Sequence, residues 1–278
     1  MRDAYTDPRT PVPGKGRLSV TWIGHATALI ELDGARLLTD PVLRDRIGHL
    51  KRLVPSPAPA ALGRLDCVLL SHLHADHADL PTLRALDLHG PILAPPPASK
   101  WLADRGFAET VALSVGAAAD VAGVRVSATV AVHDGRRMPY GPAAEAVGFL
   151  VCGSASATAA GETPARPSVY FAGDTDLHPS MRELRERVHV ALMPVWGWGP
   201  RLGPGHLDPQ RAAEAVAMIR PRLAVPIHWG TFTVRTPGRR TADPARPAHE
   251  FADHVHRLAP EVEVRVLAPG ASVSTAQR

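Results

Sequence analysis

The chain has 278 residues, 45% of them hydrophobic and 21% charged, the composition of a folded protein with a large core rather than a disordered one. Its 31 Lys and Arg against 27 Asp and Glu give a net charge of +4, too slight an excess to signal nucleic-acid binding, and 5% aromatic residues offer little for base stacking. Two cysteines argue against a disulfide framework and suit the cytoplasm, and no apolar run reaches the ~18 residues of a membrane span.

Residues 1–16 carry Asp3, Asp7 and turn-forming Pro and Gly residues without an apolar stretch, and read as a flexible N-terminus rather than a secretory signal. Residues 17–278 read as one domain, because α/β chains of this size are routinely one unit. Apolar patterning predicts strands at 18–23, 27–32 and 35–39, the last two joined through the hairpin signal Asp33-Gly34. After a Pro-rich connection at 55–59, a short apolar strand at 66–70 leads into Ser71-His72-Leu73-His74-Ala75-Asp76-His77. Helices are expected at 80–86 and 98–104.

Strict alternation from Val124 through Val132 predicts a half-buried strand ending at His133. Strands at 147–151 and 168–172 flank a stretch of small residues, 154–167, that reads as a flexible loop. A helix at 180–188 and a strand at 190–195 precede a loop rich in Gly and Trp, Trp196-Gly197-Trp198-Gly199-Pro200 and onward. Asp208 followed by Pro209 is an N-cap and first-turn signature for a helix to Ile219, and a strand at 223–227 delivers His228. A Pro/Arg-rich loop at 235–248, a helix at 250–258 and a strand at 262–267 complete an α/β pattern.

Metal centres need neutral imidazoles and carboxylates that converge, and the candidates here stand at the ends of four strands: the cluster from His72 to His77, then His133, Asp174 and His228. His72 and His74, two apart on an extended segment, point the same way and can chelate one ion. Asp76 and His77 lie beyond a turn and can face a second. Two ions roughly 3.5 to 4 Å apart need a bridging carboxylate and further imidazoles, which Asp174, His133 and His228 can supply. His249 and His254 imitate a zinc-protease helix but stand five apart, about 140° around the axis, so they cannot share an ion; with His256 they read as a solvated face.

His-x-His-x-Asp-His with a Gly-Asp turn and two later histidines resembles the metallo-β-lactamase superfamily. Trp22-Ile23-Gly24-His25-Ala26-Thr27, Thr39-Asp40-Pro41, Phe171-Ala172-Gly173-Asp174-Thr175, His206-Leu207-Asp208-Pro209 and Ile227-His228-Trp229-Gly230-Thr231-Phe232 are similar to stretches of N-acylphosphatidylethanolamine-hydrolysing phospholipase D and its bacterial relatives, and more distantly of ascorbate-6-phosphate lactonase. The resemblance implies a four-layer αβ/βα sandwich. It also implies one metal on His72, His74 and His133, a second on Asp76, His77 and His228, and Asp174 bridging them. The sequence departs from the phospholipase after His133, where Asp134 replaces a Trp.

His206 matches a histidine that contacts substrate beside the metals in that family, and His25 resembles a residue facing the active site, although a structural hydrogen bond from its ring is an equal alternative. Trp196 and Trp198 offer rigid apolar area for a substrate wall, with a packed loop anchor as the equal alternative. The expected activity is hydrolysis by a hydroxide bridged by two divalent ions, zinc foremost with manganese or iron as alternatives, on a small or lipid-like anionic substrate. Asp76 orients the water and, with His206, makes up the catalytic pair. A phosphodiester is favoured; a lactone or other carboxylic ester, an RNA or a purely metal-binding role are the alternatives.

Overall fold

The Asp33-Gly34 hairpin forms with both residues at positive φ, 52° and 94°, the two-residue turn whose twist matches its strands. The computed structural model describes residues 17–137, 141–153, 166–199, 201–234 and 243–275. The expected flexible N-terminus, most of the 154–167 loop and Pro200 lie outside them. The first half of the chain forms β1 (Leu18–Gly24), β2 (Thr27–Leu32), β3 (Ala35–Thr39), β4 (Arg46–Ile47), β5 (Leu50–Arg52), β6 (Cys67–Leu69), α1 (Leu80–Ala85), β7 (Ile92–Ala94), α2 (Pro96–Ala103) and β8 (Thr110–Ala112). The second forms β9 (Ala118–Val121), β10 (Val124–Asp134), β11 (Glu145–Cys152), β12 (Ser168–Phe171), β13 (Val190–Pro194), α3 (Pro209–Ile219), β14 (Leu223–Ile227), β15 (Phe232–Val234), α4 (Arg246–Leu258), β16 (Glu263–Val264) and β17 (Ser272–Thr275).

Two seven-stranded sheets result, ordered β17-β1-β2-β3-β6-β7-β8 and β16-β14-β13-β12-β11-β10-β9, with β15-β5-β4 as a small third. Period-two alternation assigns each side chain its layer. In the first sheet Val20, Ile30, Leu37 and Leu69 pack in one core with Val126, Phe149 and Leu192 of the second. The alternate residues Ile23, Leu29, Leu38 and Val68 instead cluster with Leu83 of α1 and with Ala98 and Leu102 of α2. Ala212 and Val216 of α3 and Phe251 and Val255 of α4 cover the second sheet. Helices, sheet, sheet and helices make the four layers that the family resemblance implies. Phe149 is fully buried between the sheets, and its truncation to Ala costs about 3–5 kcal/mol.

Several local expectations change. The helix expected at 180–188 is a short 3-10 turn, Pro179–Leu184, and the strand expected at 262–267 keeps only β16. The strand that closes the first sheet is β17, which pairs antiparallel with β1 but has a single apolar residue, Val273, and so no readable alternation. Strands β4 and β5 are too short to show a period. Helix α4 starts at Arg246 rather than 250, with Pro247 in its first turn. Asp208 caps α3 as expected, accepting from Arg211 N at 2.8 Å.

Candidate metal centre

Parallel pairing sets the carboxyl ends of β3, β6 and β7 side by side in one sheet, and those of β12, β13 and β14 in the other. Ligand sites in α/β sheets form at such ends. Asp40 follows β3, His72 to His77 follow β6, Asp174 follows β12 and His228 follows β14. His133 lies one residue from the end of β10. His25 fills the tight turn between β1 and β2, beyond a register shift between Trp22 and Gly24. His25 and His228 both take left-handed backbone, φ 54° and 63°, a conformation costly for residues other than Gly and frequent at functional sites. Gly173 also sits at positive φ, where a Cβ would stand 2.8 Å from that of Ser71, so only glycine lets Asp174 approach the histidine loop.

Hydrogen bonds fix which ring nitrogens are bare. Ser71 Oγ donates to Asp40 Oδ2 at 2.5 Å, so it can only accept from His72 Nδ1, 2.9 Å away. The Nε2 of neutral His72 is therefore a lone pair, and it is buried with no hydrogen-bond partner. An orphaned buried acceptor is rare and costly, and one aimed among other imidazoles is what a metal ligand requires. The same Asp40 Oδ2 accepts from His77 Nδ1 at 2.7 Å, which turns His77 Nε2 inward. His133 Nδ1 donates to Gly205 O at 2.9 Å, leaving its Nε2 to face His74 Nδ1 at 3.1 Å. Gly205 itself is at φ 74°.

His72, His74 and His133 thus offer one set of donors within 4.8 Å of one another, and His25, Asp76, His77 and His228 offer a second. Asp174 stands beside both sets: its Oδ2 is 3.2 Å from His77 Nε2, its Oδ1 is 3.2 Å from His228 Nε2, and it groups with His133 and His206. His228 Nδ1 donates to Trp196 O at 2.7 Å. All seven residues expected as ligands come together.

Burial drives His72 well below its ordinary range, His74 down to about 4 and His228 down to about 3, so these rings are neutral at pH 7. Burial opposes charge on His77 too, but Asp174, Asp40 and Asp76 outweigh it and hold that ring cationic well above the usual range. Burial would raise Asp76 and Asp174, yet the His25 bond and the His77 charge keep Asp76 well below the carboxylate range, and His228 and His77 do the same for Asp174.

The centre opens into a cavity of about 440 Å³, a volume suited to a small molecule, with His74, Asp76, Asp174, His206 and His228 at its floor. Ile47, Leu50, Trp198 and Leu202 provide apolar walls; His49 and Arg201 also line it. His206 Nε2 lies 3.4 Å from Asp174 Oδ2, and that contact holds His206 above its ordinary value against the effect of burial.

Two residues expected against substrate are placed elsewhere. Trp196 packs on the core, its indole donating to Gly199 O at 3.2 Å, and it serves the centre through its carbonyl. His25 is 1% exposed and holds Asp76 Oδ2 at 3.0 Å rather than reaching the cavity, which is the structural alternative for its ring. Asp40 and Ser71 went unnominated, although Asp40 follows a strand as Asp174 does. His249 and His256 are exposed and His254 accepts from Arg257 at 2.9 Å, away from every donor group among the described residues.

Residues 35–229 match the β-lactamase superfamily domain, and the chain belongs to the metallo-β-lactamase superfamily. Within it, the chain is 31% identical over 267 residues to a UPF0173 metal-dependent hydrolase of Aeropyrum pernix, covering 91% of this chain and 96% of that one. It is 32% identical over 264 residues to another of Opitutus terrae, covering 92% and 99%. The fold is similar to that of Igni18, a metallo hydrolase of Ignicoccus hospitalis, with TM-score 0.66 at 24% identity over 94% of this chain and 100% of that one. These names carry no substrate, so the narrower likeness to the phospholipase bears only on the proposal below.

Proposed function

We propose that the protein is a cytoplasmic dinuclear metal-dependent hydrolase of small anionic esters, with a phosphodiester as the favoured substrate. The observation that carries this reading is the bare, buried Nε2 of His72 set among a full complement of nitrogen and oxygen donors. His72, His74 and His133 would hold one divalent ion, Asp76, His77 and His228 the other, and Asp174 would bridge. Imidazole and carboxylate donors without thiolate suit zinc, and also manganese or iron. The free thiols of Cys67 and Cys152 are in keeping with a reducing compartment.

The ions, when bound, supply Lewis acidity that brings a water's pKa to about 7 and offsets charge developing on the attacked ester. Asp76, kept ionised, would orient the attacking water. His206, whose pKa Asp174 holds above the ordinary imidazole value, is placed to give a proton to the departing oxygen, a contribution of about 10²–10⁴ in rate. Arg201 and His49 attract the anionic group, while Trp198, Leu50 and Leu202 exclude water around it. The carboxylic-ester alternative differs only in the atom attacked.

Metal analysis of the purified protein, with turnover of bis(p-nitrophenyl) phosphate, a lactone and single-stranded RNA by wild type and Asp76→Ala, tests the reading. Two equivalents of metal and diester turnover that vanishes in Asp76→Ala are expected. Metal-free protein, or undiminished activity in the variant, overturns it.

A further inference from the structure

Two side chains from distant parts of the chain claim one oxygen of Asp76. His25 Nε2 lies 3.0 Å from Oδ2, and Trp198 Nε1 donates to the same atom at 2.8 Å. A carboxylate oxygen has two lone pairs, so both of those on Oδ2 are engaged. The same oxygen is the one that approaches His77 Nε2, at 3.9 Å, so its setting bears directly on the donor group.

His25 is held for that purpose by its backbone. Its N–H donates to Thr231 Oγ1 at 2.6 Å, and its carbonyl accepts from Trp22 Nε1 and from His228 N, each at 2.9 Å. His25 also falls in the donor group of Asp76, His77 and His228, which raises the alternative that it is itself a ligand. Its Nε2 is instead engaged by Asp76 Oδ2, and its ring is tilted 31° against that of His228, centroids 3.8 Å apart. Trp198, for its part, lines the cavity and meets the His49 ring edge-on at 5.5 Å. The side chain that fixes Asp76 is thus also the wall against which a substrate lies.

We infer that His25 and Trp198 are positioning residues for Asp76, fixing the orientation of its carboxylate toward the donor group and, through Trp198, tying the filling of the cavity to the set of that carboxylate. This rests on the dinuclear reading above.

The test is titration of the metal-free wild type, Trp198→Phe, His25→Leu and His25→Gln with Co²⁺, followed by the visible spectrum and by chelator competition, with thermal denaturation as a check of folding. Trp198→Phe keeps the aromatic wall and removes only the donor; His25→Gln restores a donor that His25→Leu lacks. The first equivalent is expected to bind as in wild type in all variants. The second should weaken about 10–100-fold, with an altered cobalt spectrum, in Trp198→Phe and His25→Leu, and recover in His25→Gln. Wild-type affinity for the second equivalent in both Trp198→Phe and His25→Leu overturns the inference alone. So does a complete loss in His25→Gln equal to that in His25→Leu, which would make His25 a ligand. A wild type that takes up no second equivalent overturns the dinuclear reading and this inference with it. Should His25→Leu fail to fold, Trp198→Phe decides.

Discussion

His77 and His228 turn their Nε2 atoms toward each other at 3.1 Å. His228 gives its one proton to the Trp196 carbonyl through Nδ1, so its Nε2 is a lone pair. Two lone pairs at this distance repel, and a positive centre must separate them. In the metal-free protein that centre is the proton on His77, stabilised by Asp174 and Asp40. An ion bound there displaces it. Metal uptake at pH 7 should therefore release about one proton from His77, besides the fraction lost by a bound water, and almost none from His72, His74 or His228, which are already neutral. Because the ion competes with that proton, affinity rises with pH until the raised pKa of His77 is passed. Calorimetry in buffers of different ionisation enthalpy measures the count; release of no proton contradicts the assignment.

His206→Gln should lower kcat on an alkyl phosphodiester by about 10²–10⁴ while metal content is unchanged. A p-nitrophenyl leaving group, which departs without protonation, should lose far less. Equal losses on both substrates would show that His206 acts in some way other than as the proton donor.

Arg201 is exposed at the cavity mouth, where a charge contact contributes about 0.2–1 kcal/mol. Arg201→Ala should raise KM for an anionic ester by up to about fivefold and leave kcat alone. The same substitution should not affect a neutral lactone, and added salt should narrow the difference on the anion. Unchanged KM on the anionic ester would remove Arg201 from substrate recognition.

Much of the fold was legible because β1 to β3, β10 and β14 carry clear alternation or unbroken apolar runs, and α3 is announced by Asp208-Pro209. The donors were legible because they stand at strand ends. Strand β17 and the β4–β5 hairpin were not, since short edge strands owe their place to pairing partners far along the chain rather than to their own pattern. The parts played by Asp40 and Trp196 are likewise not legible in the sequence. An aspartate that sets two ring tautomers, and a tryptophan used through its carbonyl, are distinguished by what surrounds them and not by residue type.

The bond from His228 N to His25 O joins the two halves of the centre across more than two hundred residues of sequence, in a chain whose donors come from both sheets. Contacts so remote along the chain form late, after the cost of closing long loops has been met. A nascent chain that has emerged only as far as β8 possesses the His72 to His77 loop but neither Asp174 nor His228. An ion that takes ligands from both sheets would therefore bind only once the whole protein has assembled, and would tie down the last-formed part of the molecule.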